Sequence, residues 1–202
     1  MNANRHRGIG RCAALIAGAL ILATIGAGAV ERGPAPANTP PLCETGIDAT
    51  DSSSLPFLHV RPVDESLAAP LRTGVRRSQT LSSLVDRLEQ LNGIVYLFPG
   101  AVRRPSQDVV LRGGLSNDVK TAGAFRVLRI LVQPGRGDLT IATIGHELRH
   151  AVEVLEAPDA VDLDSVARLY ERIGFAVRRG IYETTAATTA ERQVFDELRQ
   201  CR

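Results

Sequence analysis

The sequence predicts an α+β fold, and three stretches carry that expectation. A helical pattern at about 80–92 runs directly into the apolar segment Ile94-Val95-Tyr96-Leu97-Phe98. A longer apolar run follows at 125–132, and three further helical patterns occupy about 138–156, 163–173 and 183–199. A helix, a few strands and then three helices make an α+β order, with a small sheet packed on helices.

The segments before this domain differ in character. Arg5, Arg7 and Arg11 precede an apolar run from Cys12 to about Ile25, and Ala27-Gly28-Ala29 fits the small-x-small cleavage pattern. Residues 1–29 therefore read as an export signal peptide, which would place the protein in the periplasm or outside the cell. An uncleaved anchor is the alternative, because the run up to Val30 approaches bilayer-spanning length. No later stretch has the length or apolarity of a second span. Residues 30–56 contain Pro34, Pro36, Pro40 and Pro41 without apolar periodicity and read as an extended or disordered linker. Residues 57–202 then make one domain of ordinary size.

Loss of the signal changes the chemistry of what remains. The formal charge of +2 falls to about −1 once three arginines leave, which gives no electrostatic case for nucleic acid. Cys12 leaves too, and Cys43 and Cys201 remain as a candidate disulfide in an oxidising compartment, with two free thiols as the alternative.

Within the domain each element has its own signal. Leu81, Leu84, Val85, Leu88 and Leu91 recur at helical spacing, Ser78 or Thr80 can cap them, and Gly93 ends the pattern. The run 94–98 is a buried strand stopped by Pro99-Gly100, and Val109-Val110-Leu111 is a shorter candidate before Gly113-Gly114. Phe125 to Val132 is apolar except for Arg126 and Arg129, and Pro134-Gly135 and Gly137 stop it. Asp138 can cap the helix that follows. In the next helix Leu163, Val166, Tyr170 and Ile173 face inward and Gly174 closes it. The last helix, from about Glu183 to Arg199, has an inward stripe of Ala187, Ala190, Val194 and Leu198, onto which Glu183 also projects.

One stretch names a chemistry. Thr143 to Glu156 reads TIGHELRHAVEVLE, and His146-Glu147-Leu148-Arg149-His150 is an HExxH pattern holding two of only four histidines in the chain. On a helix, residues four apart lie on one face a turn from each other. Two imidazoles so placed can bind one zinc ion, and Glu147 stands beside it as a base for water. Ile141, Ile144, Leu148, Val152 and Leu155 form an apolar stripe roughly opposite the histidines, so the helix can bury one side and turn its histidines to a cleft. The alternative is a solvated polar face that happens to contain two histidines.

This segment resembles the active-site helix of the zincin metallopeptidases. Thr143, Ile144, Leu148, Ala151 and Val152 suit that family's extended signature, whereas Arg149 puts a charge where the signature prefers none. The expected fold is zincin-like: a small mixed sheet on the HExxH helix, with two further helices after it. The family's sheet ends in an edge strand that pairs with peptide substrates. The 125–132 segment is a candidate for that strand, and a central core strand is the other reading of its apolarity.

A catalytic zinc site needs a third protein ligand. Glu153 lies seven residues from His146, about 10.5 Å along an unbroken helix, so it reads as a partner to a ligand or as a solvated carboxylate. Glu156 stands where metzincins place a third ligand, but the glycine they require is Glu153 here. Glu183 fits better, because an inward carboxylate needs a partner. The run Glu183-Thr184-Thr185-Ala186 also resembles the ExxA segment of gluzincins. A helix N-terminal acid favoured by the macrodipole is the other account of Glu183. The aspartate that often follows in that motif is Ala187 here, so a carboxylate that orients a histidine must come from elsewhere, with Asp162, Asp164 and Glu153 as candidates.

What the resemblance implies is zinc-dependent hydrolysis of a peptide or protein substrate. His146, His150 and Glu183 would be the metal ligands and Glu147 the base and proton donor, with Tyr182 or Tyr170 as possible oxyanion donors. A secreted zinc-binding or structural module without turnover is the competing expectation, and a metal-free domain is a third.

Overall fold

The computed structural model describes Leu15–Ile16 and residues 57–200 except 105–108, 117 and 179. Residues 30–56, Cys43, Cys201 and all but two residues of the expected signal lie outside the described residues. In chain order the elements are β1 (Leu15–Ile16), β2 (Val60–Pro62), α1 (Glu65–Arg77), α2 (Gln79–Glu89), β3 (Gly93–Pro99), β4 (Val102–Arg104) and β5 (Val109–Leu111). Then come β6 (Gly113–Ser116), β7 (Lys120–Ala122), β8 (Phe125–Val132), α3 (Asp138–Glu156), α4 (Leu163–Ile173), β9 (Phe175–Arg178), β10 (Ile181–Glu183) and α5 (Thr185–Gln200). This is a mixed α+β fold of five helices and a small mixed sheet among the described residues.

The apolar run 125–132 sits in the middle of that sheet. Strands β2, β3 and β8 are parallel neighbours, and the other side of β8 is shared by β7 at its start and β6 at its end, both antiparallel. The segment is therefore a central strand, and the edge-strand expectation for it is corrected. Being hydrogen-bonded on both sides accounts for its near-continuous apolarity. Beyond β6 the order runs through β1 and β10 to β9.

The two arginines that interrupt β8 have separate uses. Arg129 stacks over the ring of Phe98, 4.8 Å from its centroid. Arg126 donates through Nη1 to the carbonyls of Val154, Ala157 and Ala160, and through Nη2 to that of Leu155. It thus satisfies carbonyls at the C-terminal end of α3 and places a positive charge at the negative end of that helix.

Helix α3 is central as well. It packs on α1, α2, α5, β6 and β8, and every residue except Leu139, Arg149 and Glu156 is buried. The apolar stripe Ile141, Ile144, Leu148, Val152 and Leu155 is buried as its periodicity predicts, but the histidine side is covered too. Two glycines permit the close approach. A Cβ on Gly74 of α1 would overlap Ile141 and Leu81, and one on Gly145 would lie 2.8 Å from Val194 Cγ2 of α5.

Local outcomes differ from the sequence expectation at several points. Gly137, at φ +62°, is the N-cap of α3 and offers no side chain, while Asp138 is the first helical residue and lies 3.8 Å from Arg77. Ser78 caps α2 by accepting from Leu81 N. Helix α1 was not anticipated, because Pro70 and Gly74 interrupt its pattern. Ile173 is exposed, and Leu169 is the buried residue that flanks Tyr170 instead. Glu183 belongs to β10 and not to the last helix, since Thr184 ends the extended segment and caps α5 by accepting from Ala187 N at 3.0 Å.

Candidate metal centre

One turn of α3 separates His146 from His150, and their rings meet edge to face with centroids 4.9 Å apart. Both are fully buried. The end of β10 delivers Glu183 against them: its Oε2 is 3.2 Å from His146 Nε2 and its Oε1 is 3.1 Å from His150 Nε2. One carboxylate thus faces both Nε2 nitrogens, and one donor atom from each of the three residues falls within 4.8 Å of the others. Glu183 is held in place by its own backbone, since Thr184 N donates to Oε1 at 2.8 Å.

The opposite nitrogen of each ring faces another carboxylate. His150 Nδ1 is 3.0 Å from Glu153 Oε2, and His146 Nδ1 is 3.3 Å from Glu191 Oε2. Thr184 Oγ1 donates to the second oxygen of Glu153 at 2.9 Å, so one residue braces the carboxylates on both sides of His150. Arg149, the departure from the motif signature, is partly exposed and lies with Nε 3.5 Å from the same oxygen. Glu153 fixes the orientation of His150 through its hydrogen bond to Nδ1, while Glu191 faces His146 Nδ1 without one aligned to it. A carboxylate behind an imidazole makes its other nitrogen a better donor to a cation.

Electrostatics follow from this crowding. Burial alone would lower the pKa of His146, but the carboxylates of Glu183, Glu191 and Glu147 outweigh it and raise it to about 10. His150 is raised as well, with burial opposed by Glu153 and Glu183. Glu183 is pushed up by burial and pulled down further by the two histidines, to about 2. Protons on the imidazoles thus supply the positive charge that the carboxylates require.

Glu147 is different. It is fully buried, and neither carboxylate oxygen has a hydrogen-bond partner among the described residues. Burial raises it first, the two histidines oppose and Glu183 and Glu191 reinforce, leaving it at about 7. Strand β6 passes directly over it. A Cβ on Gly113 would overlap Glu147 Oε1 and lie 2.9 Å from Thr143 Cγ2, so only glycine fits there without displacing the carboxylate.

The donor set suits a cation. His146 Nε2 and Glu183 Oε2 are buried and, despite their short separation, are not aligned to hydrogen-bond each other or anything else described. Unsatisfied buried polar atoms of this kind are rare, and two imidazole nitrogens with one carboxylate oxygen could hold a metal ion.

Other candidates lie elsewhere. Asp162 caps α4 by accepting from Ser165 N, and Glu156 pairs with Arg87 at 2.8 Å. Tyr170 is core: its hydroxyl donates to the carbonyl of His150 at 3.2 Å. Tyr182 donates to Glu171 at the surface. Glu191 escaped the sequence reading. Its signal was available, since it lies one helical turn beyond Ala187, on the face where the absent aspartate was sought.

Comparison of the chain with family models, with curated proteins and with solved structures gives no match. The reading of this site rests on its own residues.

Proposed function

We propose that the protein is an exported zinc-dependent peptidase of gluzincin-like type, with His146, His150 and Glu183 as metal ligands and Glu147 as the base. The observation that carries this reading is the bridging position of Glu183 beneath both Nε2 nitrogens, with an unbonded Glu147 carboxylate on the same helix. Zinc, when bound, would polarise a scissile carbonyl and make water more acidic. Glu147, poised near neutrality, takes a proton from the attacking water and delivers it to the departing amine nitrogen. Glu153 keeps the His150 imidazole oriented, and Glu191 sets a negative charge behind His146.

A peptide is the substrate class that the sheet favours. Strands β6 and β10 stand one strand apart, and the extended pair Leu15–Ile16 bridges them, antiparallel to β6 and parallel to β10. In this reading β6, not β8, is the strand that lines the cleft, and removal of the signal frees the place between them for a substrate backbone.

The test is metal content together with turnover of a peptide library by the mature protein. Glu147→Gln keeps the proposed ligands and should retain zinc while abolishing cleavage. Zinc without cleavage by the wild type would favour the binding module, and absence of zinc from protein purified at neutral pH would overturn the metal reading itself.

A further inference from the structure

One helical turn from Glu147 along α3 lies a cavity of about 260 Å³, lined by none of the proposed metal ligands. Its walls are Arg112, just before β6, and the turn after β8 on one side and the first turns of α3 on the other. The connection to the site is direct. Thr143 lines the cavity one helical turn before Glu147, and Gly113, adjacent in sequence to the lining residue Arg112, has no room for a Cβ because Glu147 and Thr143 occupy that space. A group held in this cavity is therefore next to the bond that Glu147 would attend.

The lining has a definite charge. Arg112 and Arg136 both contribute, and both are exposed at its mouth. Among the described residues neither is paired with a carboxylate. Asp138, the nearest acid in sequence to Arg136, is buried beside Arg77 and is not part of the lining. The rest of the wall is shaped, not charged: Gly135 N donates to Thr140 Oγ1 at 2.9 Å, and Gln133 N donates to the Arg112 carbonyl at 2.6 Å, so the loop that carries Arg136 is tied to both walls. A volume just below that of small-molecule pockets suits one side chain or one chain terminus. Two unpaired guanidiniums at its entrance suit a carboxylate, which arginine can hold through paired hydrogen bonds.

We infer that this cavity is a specificity pocket that receives a carboxylate of the substrate beside the scissile bond, held by Arg112 and Arg136. The inference rests on the peptidase reading for the word substrate, but the pocket's preference can be measured without turnover. Two sources share the chemistry, an acidic side chain within the peptide and a free C-terminal carboxylate.

The experiment uses decapeptides that differ only in carrying Glu, Gln or Lys at one position scanned along the chain, each with a free or an amidated C-terminus. Binding is measured on the zinc-loaded Glu147→Gln protein and cleavage on the wild type. The expected result is about tenfold tighter binding and faster cleavage when one carboxylate is present, from two charge-assisted contacts. The preference should weaken with added salt. It should vanish in the Arg112→Gln/Arg136→Gln double variant, with zinc content unchanged. Both arginines are exposed, so this variant should fold.

Loss of the preference on exchanging Glu for Gln assigns the side chain as the source, and loss on amidation assigns the terminus. Equal binding of all peptides by the Glu147→Gln protein, or a preference that survives in the double variant, overturns the inference. Failure of cleavage with the binding preference intact would instead count against the peptidase reading and leave the anion pocket standing.

Discussion

Glu191 Oε2, on α5, stands 3.3 Å from His146 Nδ1, and Glu183, at the end of the preceding strand β10, faces the other nitrogen of the same ring. The ring is therefore flanked by carboxylates from one β10–α5 segment. The segment that supplies one proposed ligand also sets a negative charge behind another. Glu153 does the same for His150 from within α3.

The contribution of Glu191 is open to a direct measurement. Glu191→Gln removes the charge behind His146 and keeps the size of the side chain. Zinc affinity, read by competition with a chromophoric chelator, should fall by about 10- to 100-fold, the usual range for such partners. The far-ultraviolet spectrum should stay unchanged, because Glu191 is at the rim and contributes no core packing. An affinity equal to the wild type would mean that Glu191 is only a surface acid.

A graded series separates ligand from support. Glu183→Ala should lower zinc affinity more than Glu153→Ala, because it removes the group that faces both Nε2 nitrogens. Glu156→Ala should leave affinity unchanged, since Glu156 pairs with Arg87 at the surface. If Glu153→Ala proves the more damaging, Glu183 is not the third ligand.

The protonation of the metal-free cluster sets a pH dependence. A raised histidine pKa means stability that is present below the unfolded value of about 6.5 and is lost as pH rises through about 10 for His146. A depressed carboxylate works the other way: the contribution of Glu183 is present above its unfolded value and is lost as pH falls through about 2. Zinc must displace the imidazole protons, so its apparent affinity should rise with pH through neutrality, with proton release at pH 7. Calorimetry in buffers of different ionisation enthalpy measures that release. Binding with no net proton exchange would contradict the charged histidines.

How much of this was legible depended on where the information sits. The HExxH helix, the strand 125–132 and the helix 163–173 were readable because periodicity and glycine or proline punctuation are local properties. The third residue of the cluster was found at Glu183 for a partly wrong reason. Projecting it as a helical residue put it on the inward stripe, whereas the chain places it at the end of a strand, with the helix beginning after Thr184. The hairpin β9–β10 gave little signal, because Phe175 to Arg178 is short and mostly exposed, with Gly180 at φ +67° as its one turn marker. The place of β6 was beyond local reading altogether. Gly113-Gly114 looks like a strand terminator in sequence, and only the antiparallel pairing with β8 turns it into the strand over Glu147.

Gly113 supplies the most discriminating substitution at that strand. Its φ is not in the left-handed region, so backbone conformation does not demand glycine; space does. Gly113→Ala would drive a methyl into Glu147 Oε1 and against Thr143 Cγ2. Either the Glu147 side chain must turn or β6 must move away from α3. The atoms nearest this methyl belong to Glu147 and Thr143 and not to the proposed ligands, so zinc content should remain that of the wild type. Turnover should drop by about 100-fold, the scale on which a misplaced catalytic group is felt. Because the added carbon also touches a core helix, a loss of about 1–3 kcal/mol in stability should accompany it, as for other overpacked sites. Thr143→Ala removes the second clash and should restore part of that stability without restoring turnover, since the overlap with Glu147 remains. Full activity in Gly113→Ala would show that Glu147 does not need the position it holds beneath β6.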